Sequence, residues 1–294
     1  MSSCSTCSSS GENHVNATMA LQDNLISSTL GKIKHKLFIM SGKGGVGKSS
    51  VTVNTAAALA SSGFKVGILD VDIHGPSVPN LLGLNATIEM DESGSLMLPA
   101  KYSNNLSVIS MDSLLKEKDC AILWRGPKKT AAIRQFVSDV LWGELDYLLI
   151  DSPPGTGDEH MTVLQTIPDA LCVVVTTPQE ISLADVRKAL NFLQHAKANV
   201  LGVVENMSGL YCPHCHEAID LFKKGGGKAL AEKYGLKFLG GIPLDPATVV
   251  AADSGIPVVF LKEDTPAKRE FLNLADAIHN AAINSLEVLA SNHD

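Results

Sequence analysis

The run Gly42-Lys43-Gly44-Gly45-Val46-Gly47-Lys48-Ser49 has the G-x-x-x-x-G-K-[ST] spacing of a phosphate-binding loop. Its glycines let the backbone wrap so that N–H groups meet phosphate oxygens, while Lys48 neutralises the outer phosphates and Ser49 offers a hydroxyl to Mg²⁺. Lys43 adds a second lysine to the loop, and Ser50 extends the nucleotide contacts into the segment that follows. Carboxylates at the ends of two apolar runs suit the same chemistry. Asp70 and Asp72 close one run and Asp151 closes another, Tyr147 to Ile150. We assign water positioning and a place near Mg²⁺ to Asp72, a supporting role to Asp70, and a second Mg²⁺-directed carboxylate to Asp151. Turn capping competes for Asp72, because Gly75-Pro76 follows, and a plain structural loop competes for residues 151–158. The prolines and glycines of that loop suit a segment that rearranges with the γ-phosphate.

A different chemistry belongs to Cys212-Pro213-His214-Cys215, where two intervening residues let both thiolates face one metal. An iron–sulfur cluster, zinc with help from His214 or His216, and a redox dithiol all fit this spacing. Cys4 and Cys7 repeat the spacing near the N-terminus and are an option for a second, looser metal site. Cys172 lies in an apolar run and reads as a small hydrophobe, and Cys120 also reads as structural. Gly225-Gly226-Gly227-Lys228 lacks the leading strand and full spacing of a phosphate loop, so its glycines are expected to ease entry into a helix.

Positioning these residues requires strands and helices in alternation. Leu37 to Met40 leads into the phosphate loop, and strand-length apolar runs follow at 65–70, 106–110, 146–151, 170–176, 200–205 and 237–242. Helical patterns fall at 50–62, 128–142, 159–166, 182–197, 226–234 and 266–290. That order predicts a doubly wound α/β fold, a mostly parallel sheet with helices on both faces. Its strands would bring the phosphate loop and the carboxylates to one crevice at their carboxyl ends. Residues 87–99 read as a short peripheral hairpin. Residues 1 to about 35, rich in Ser, Asn and Thr, read as a flexible arm with a weak helix near Met19 to Leu30, leaving 36–294 as a single domain.

Of the 294 residues 45% are hydrophobic, enough for a substantial core, and the net charge of −7 disfavours nucleic acid and anionic lipid as partners. No apolar segment reaches the roughly 18 residues of a membrane span, and the N-terminus lacks the order of a signal peptide. Six cysteines, two pairs of them spaced C-x-x-C, suit a reducing compartment, so a cytoplasmic protein is expected.

The loop with its extra Lys43 resembles the deviant phosphate loop of the MinD/ParA/nitrogenase-iron-protein group of dimeric ATPases. Asp72 to Ser77, Trp124 to Pro127, Asp151 to Asp158, Glu205 to Ser208, Cys212 to Cys215 and Gly241 to Pro246 further resemble the Mrp/ApbC-type iron–sulfur cluster carriers. The resemblance runs from about residue 36 to the end. It implies a homodimer closed around two ATP molecules, with Lys43 reaching the partner's nucleotide, Asn206 reading adenine, and Pro243 to Asp245 lining the base pocket. It assigns no role to Arg125. One C-x-x-C supplies half the thiolates of a [4Fe–4S] cluster, so two subunits would complete it. The expected function is an ATP-hydrolysing carrier that passes the cluster to apo iron–sulfur proteins. The alternative is a ParA/MinD-like positioning ATPase, which would need a basic surface or basic amphipathic helix; the segment after Pro266 has neither.

Overall fold

The computed structural model describes residues 9–73, 75, 77–85, 87–114, 126–212, 215 and 217–291. Helix α1 (Ser9–Leu30) precedes strand β1 (Ile33–Ser41), which leads into α2 (Lys48–Ser61) and β2 (Val66–Asp70). A short α3 (Val78–Leu81) is followed by β3 (Glu89–Met90), β4 (Met97–Leu98), β5 (Ala100–Lys101) and β6 (Leu106–Ser110). Next come α4 (Gly126–Ser138), β7 (Leu145–Asp151), α5 (Asp158–Thr166), β8 (Leu171–Thr176) and α6 (Glu180–His195). The chain ends with β9 (Asn199–Tyr211), β10 (Ala218–Ile219), α7 (Gly226–Lys233), β11 (Phe238–Leu244), α8 (Pro246–Asp253) and α9 (Pro266–Ser291).

Side chains alternate across a strand, so strands apolar at every position must be covered on both faces. Leu37 and Ile39 of β1 join a core formed with α2 and α9, where Val51, Leu59, Phe271 and Ile278 are buried. Phe38 and Met40 point the other way, into a core formed with α4, α5 and α6 around Ile133, Phe136, Val163 and Leu190. The main sheet runs β10-β9-β8-β1-β7-β2-β6-β5, with β11 also pairing β9. The long strands pair in parallel, and β1 lies between β7 and β8. In this register Ile39 pairs with Asp151 and Asp70 with Asp151, so three strand ends meet at one place. The doubly wound parallel architecture expected from the alternation is present. So is the hairpin near 87–99, as β3 and β4.

Short α3, β5 and β10 were not expected, and four longer elements also differ from expectation. Over the described residues the polar arm is helical from Ser9. Ile26 and Leu30 are buried beside α4, and Arg134 reaches back to Gln22 and Asp23. Over residues 19–30 only two apolar side chains are buried, too few to stand out against the polar composition. The helix expected over 128–142 stops at Ser138, because Asp139 and Leu141 turn their backbone to Met97. The strand expected over 200–205 continues to Tyr211, because β11 and β10 pair its far half. Helix α8 was not expected, although Asp245-Pro246 is a strong start signal: the Asp245 carboxylate accepts from Ala247 N at 2.9 Å. Cys4, Cys7, Cys120 and Arg125 lie outside the described residues.

Each core contains a histidine. His35 stacks on Tyr147 at 4.9 Å, and His160 sits edge-on to Phe38 and Phe192. Burial lowers the pKa of both, and that of His160 falls to about 4. A folded-state pKa below the unfolded value of about 6.5 means that the unfolded chain takes up protons first as pH falls. Stability is therefore full above about pH 6.5 and is lost as pH drops toward 4, with His160 alone costing on the order of 2 kcal/mol by pH 5. Urea melts at pH 7 and pH 5 are expected to show this loss, and His160→Phe to flatten the pH slope; an unchanged slope would mean His160 is not buried neutral.

Candidate functional site

The loop between β1 and α2 wraps a cavity of about 340 Å³ lined by Lys43 to Ser50, Asp72, Ser77 and Pro154. All eight residues of the phosphate-loop motif except Gly42 line it, and Ser50 joins them. Gly47 caps α2 in the left-handed region at φ 78°, and no side chain caps the helix. The N-terminus of a 14-residue helix thus keeps its N–H groups and partial positive charge for an anion. A Cβ on Gly47 would lie 2.2 Å from Asn206 Nδ2, so both the backbone conformation and the packing require glycine.

Beneath the loop, the fully buried Asp151 carboxylate holds one ion pair and two side-chain hydrogen bonds. Lys48 Nζ approaches Oδ2 at 2.8 Å, Ser49 Oγ donates to Oδ2 at 2.6 Å, and Thr52 Oγ1 donates to Oδ1 at 2.6 Å. Thr52 was missed in the sequence. Its position four residues after Lys48, one helical turn along the same face, was the available signal. Asp70 faces Asp151 across the sheet; burial, then repulsion from Asp151, holds its carboxyl well above the usual carboxylate range. Asp70 accepts from Ser110 Oγ and from Asp72 N, both at 3.0 Å, and so fixes the start of the segment that carries Asp72. Asp72 lines the cavity and accepts from Gly75 N at 3.2 Å, combining the turn-capping role with a place at the site. The loop after Asp151 is tied to the phosphate loop by Gly155 N, which donates to Ser41 O at 3.0 Å. Ser49 and Asp151 offer hard oxygen donors beside an uncapped helix and a buried lysine, which fits a Mg²⁺-nucleotide.

Strand β9 reaches this cavity from the far side. Asn206 Nδ2 donates to Val46 O at 2.9 Å, which places its amide against the back of the phosphate loop. Glu205, the preceding residue, is fully buried and was also missed. Its carboxylate accepts from Ser208 Oγ at 2.6 Å, Gly225 N at 2.9 Å and Gly227 N at 2.6 Å. Glu205 therefore supplies an internal anion at the start of α7, and the Gly225 to Lys228 run opens a helix, as expected. Six residues beyond Asn206, Cys212 N donates to Glu217 O at 2.9 Å, closing the turn between β9 and β10. Cys215 is exposed on this turn and Cys212 half-buried. Pro243 lies apart from the phosphate cavity, in a separate one with Lys228 and Tyr211. Asp245 is engaged with the backbone of α8 and, through Ala267 N, of α9.

Gly47→Ala is expected to weaken ADP binding about tenfold or more, measured by calorimetric titration. In an Asn206→Ala background the added penalty should shrink, because the clash is gone. The same penalty in both backgrounds would contradict the contact between Asn206 and the loop.

Comparison with known proteins agrees with this geometry. A family model described as "ParA: NUBPL iron-transfer P-loop NTPase" matches residues 32–279. An iron–sulfur cluster carrier protein of Methanocaldococcus jannaschii is 47% identical over 277 residues, covering 94% of each chain. The cytosolic Fe–S cluster assembly factor CFD1 of Saccharomyces cerevisiae is 50% identical over 232 residues, covering 76% of this chain and 78% of the relative. Among solved structures, a nucleotide-binding protein of Archaeoglobus fulgidus in complex with ADP superimposes with a TM-score of 0.70 at 38% identity, covering 83% of this chain and 98% of that one. The cell-division ATPase MinD of Pyrococcus furiosus reaches a TM-score of 0.59 at 25% identity, covering 84% and 98%. With its phosphate loop, buried aspartates and cysteine turn on one sheet, the chain belongs to the iron-transfer P-loop NTPases.

Proposed function

We propose that this protein is a cytoplasmic, ATP-hydrolysing iron–sulfur cluster carrier that works as a homodimer. It holds a [4Fe–4S] cluster between its subunits and passes the cluster to apo-proteins. The observation that carries the reading is the sharing of strand β9, with Asn206 against the phosphate loop at one point and Cys212 at its end. Between Asn206 and Cys212 the strand bulges, with Met207 at φ 57° and Gly209 at φ 77°, and pairs with β11 again at Leu210, so a shift at the nucleotide is passed along one continuous, paired stretch of backbone. The names of the M. jannaschii and S. cerevisiae relatives support iron–sulfur cargo.

In this reading the backbone from Gly44 to Ser49 binds the phosphates and Lys48 neutralises them. Ser49, Asp72 and Asp151 would hold Mg²⁺, which when bound would supply charge neutralisation for the phosphates. Asp72, at the cavity wall, orients the attacking water. Lys43 reaches the partner's nucleotide and so makes closure of the dimer depend on ATP. Asn206 contacts the adenine, and Pro243 to Asp245 border the base. Cys212 and Cys215 from each subunit supply four thiolates in total, which is the ligand count of a [4Fe–4S] cluster.

A ParA/MinD-like positioning ATPase is favoured by the shared fold alone. The net charge of −7 opposes it, and salt-sensitive, ATP-dependent binding to DNA or liposomes would restore it. Among the described residues, no helix is long and apolar enough to cross a membrane.

After anaerobic iron and sulfide reconstitution, the wild type should carry about four irons per dimer with visible thiolate-to-iron absorption. Cys212→Ala/Cys215→Ala should lose both. Zinc in place of iron, or iron unaffected by the substitutions, would overturn the bridging-cluster reading.

A further inference from the structure

Asn54, on the second turn of α2, uses both ends of its side-chain amide. Nδ2 donates to Ser50 O at 2.9 Å and lies 3.5 Å from Ser50 Oγ, while Oδ1 accepts from Val258 N at 2.7 Å. These partners fix the amide's orientation, since a carbonyl oxygen can meet only the NH₂ group and a main-chain N–H only the oxygen. The bond to Val258 joins residues 204 positions apart, and both are buried. Val258 opens a short 3₁₀ turn, Val258–Phe260, whose first N–H groups have no partner within the turn. Asn54 is what satisfies this one.

That turn is the trailing end of a unit built on α8. At its start Asp245 caps the helix through Ala247 N and also accepts from Ala267 N of α9 at 3.2 Å. At its end Ile256 N folds back onto Ala251 O at 2.9 Å. Gly255, at φ 68°, meets Gly83, at φ 59°, backbone to backbone: a Cβ on Gly255 would lie 2.4 Å from Gly83 Cα. Gly83 follows α3, and Ser77 and Leu81 of that helix and its cap line the phosphate cavity together with Ser50. The unit from Asp245 to Val258 is thus clamped to two walls of the phosphate cavity, to α2 through Asn54 and to α3 through Gly83. Asn54 itself stands outside the cavity lining.

We propose that Asn54 is a positioning residue for base recognition: it fixes the distance between the phosphate loop and the base-side unit that Asp245 begins. The phosphates are held by the backbone of the loop and by Lys48, and neither depends on Val258. The base is met by a segment that folds separately in sequence and is registered to the loop by this side-chain bond and by the Gly83 contact. A phosphate chain alone is therefore indifferent to Asn54. A nucleotide must engage both parts at once, and a unit already set at the right distance binds it without the cost of being ordered. The inference rests on the base-bordering role given above to Pro243 to Asp245.

Calorimetric titrations with ADP and with inorganic tripolyphosphate, both in the presence of Mg²⁺, separate the two contributions. Asn54→Ser keeps a hydroxyl that can donate to the Ser50 carbonyl and is too short to reach Val258 N. It should weaken ADP binding about tenfold and leave tripolyphosphate within about twofold of the wild type. Gly255→Ala displaces the same unit from the α3 side with Asn54 intact. It should give the same selective loss, and it takes the place of Asn54→Ser should that variant not fold. Equal weakening of both ligands, or wild-type ADP affinity in the folded variant, would overturn the proposal. A wild-type protein that binds ADP no more tightly than tripolyphosphate would instead overturn the base-bordering reading, which the titrations of the unmodified protein report separately.

Discussion

The buried ion pair between Lys48 and Asp151, 2.8 Å apart with side chains 6% and 0% exposed, is the constraint on which the rest of the structure depends. Two charges out of water are tolerated only when their remaining hydrogen-bonding capacity is met, and removal of one partner costs about 3–5 kcal/mol. Ser49 and Thr52 meet that capacity on Asp151, and both come from the same turn of α2 that presents Lys48. The arrangement requires the end of β7 to lie beside the end of β1, which the parallel register of Ile39 with Asp151 provides. It also requires Asp70, one strand further, to give up its charge more readily, as its raised pKa indicates. Lys48 and Ser49 also line the cavity, so the residues that balance Asp151 are the ones a phosphate in that cavity would meet.

Strand β9 carries that constraint outward. Its polar residues sit where a central strand would ordinarily be apolar, and each has an internal partner. Glu205 satisfies the N-terminus of α7, and Asn206 supports the phosphate loop from behind. The bulge after Asn206, with Met207 at φ 57°, turns Ser208 back onto Glu205. A cysteine pair on the turn beyond is thereby mounted on the strand whose Asn206 backs the phosphate loop, and not on a separate appendage. Tight helix packing supports this, because a Cβ on Gly226 would fall 2.7 Å from Pro178 O.

How much of this was legible follows from whether a residue's partners are close in sequence. The phosphate loop is contiguous, so Gly42 to Ser50 could be read directly, and Asp72 and Asp151 were marked by the apolar runs before them. Thr52 and Glu205 were not legible, since each has a common residue type and a partner that only the fold brings near. The far half of β9 was hidden because Asn206-Met207-Ser208-Gly209 has turn composition, and it is the pairing of Asn206 and Leu210 with β11 that carries the strand across the bulge. Helix α1 was read as an arm because its composition is largely polar, and over residues 19–30 Ile26 and Leu30 are the large apolar side chains buried against the core while Met19, Leu21 and Leu25 are exposed. The Asp245 carboxylate carries two readings: the motif resemblance points it at the base, and local chemistry also makes it the cap of α8.

The central claim is that nucleotide and cluster share one set of conformational states through β9. Coupling of this kind is reciprocal: if ATP changes the hold on the cluster, the cluster changes affinity for ATP by the same factor. The most direct measurement is the Kd for a non-hydrolysable ATP analogue on the cluster-loaded and the apo protein under anaerobic conditions. The account predicts affinities differing by about fivefold or more. Equal affinities, with cluster loading confirmed by iron content, would contradict it.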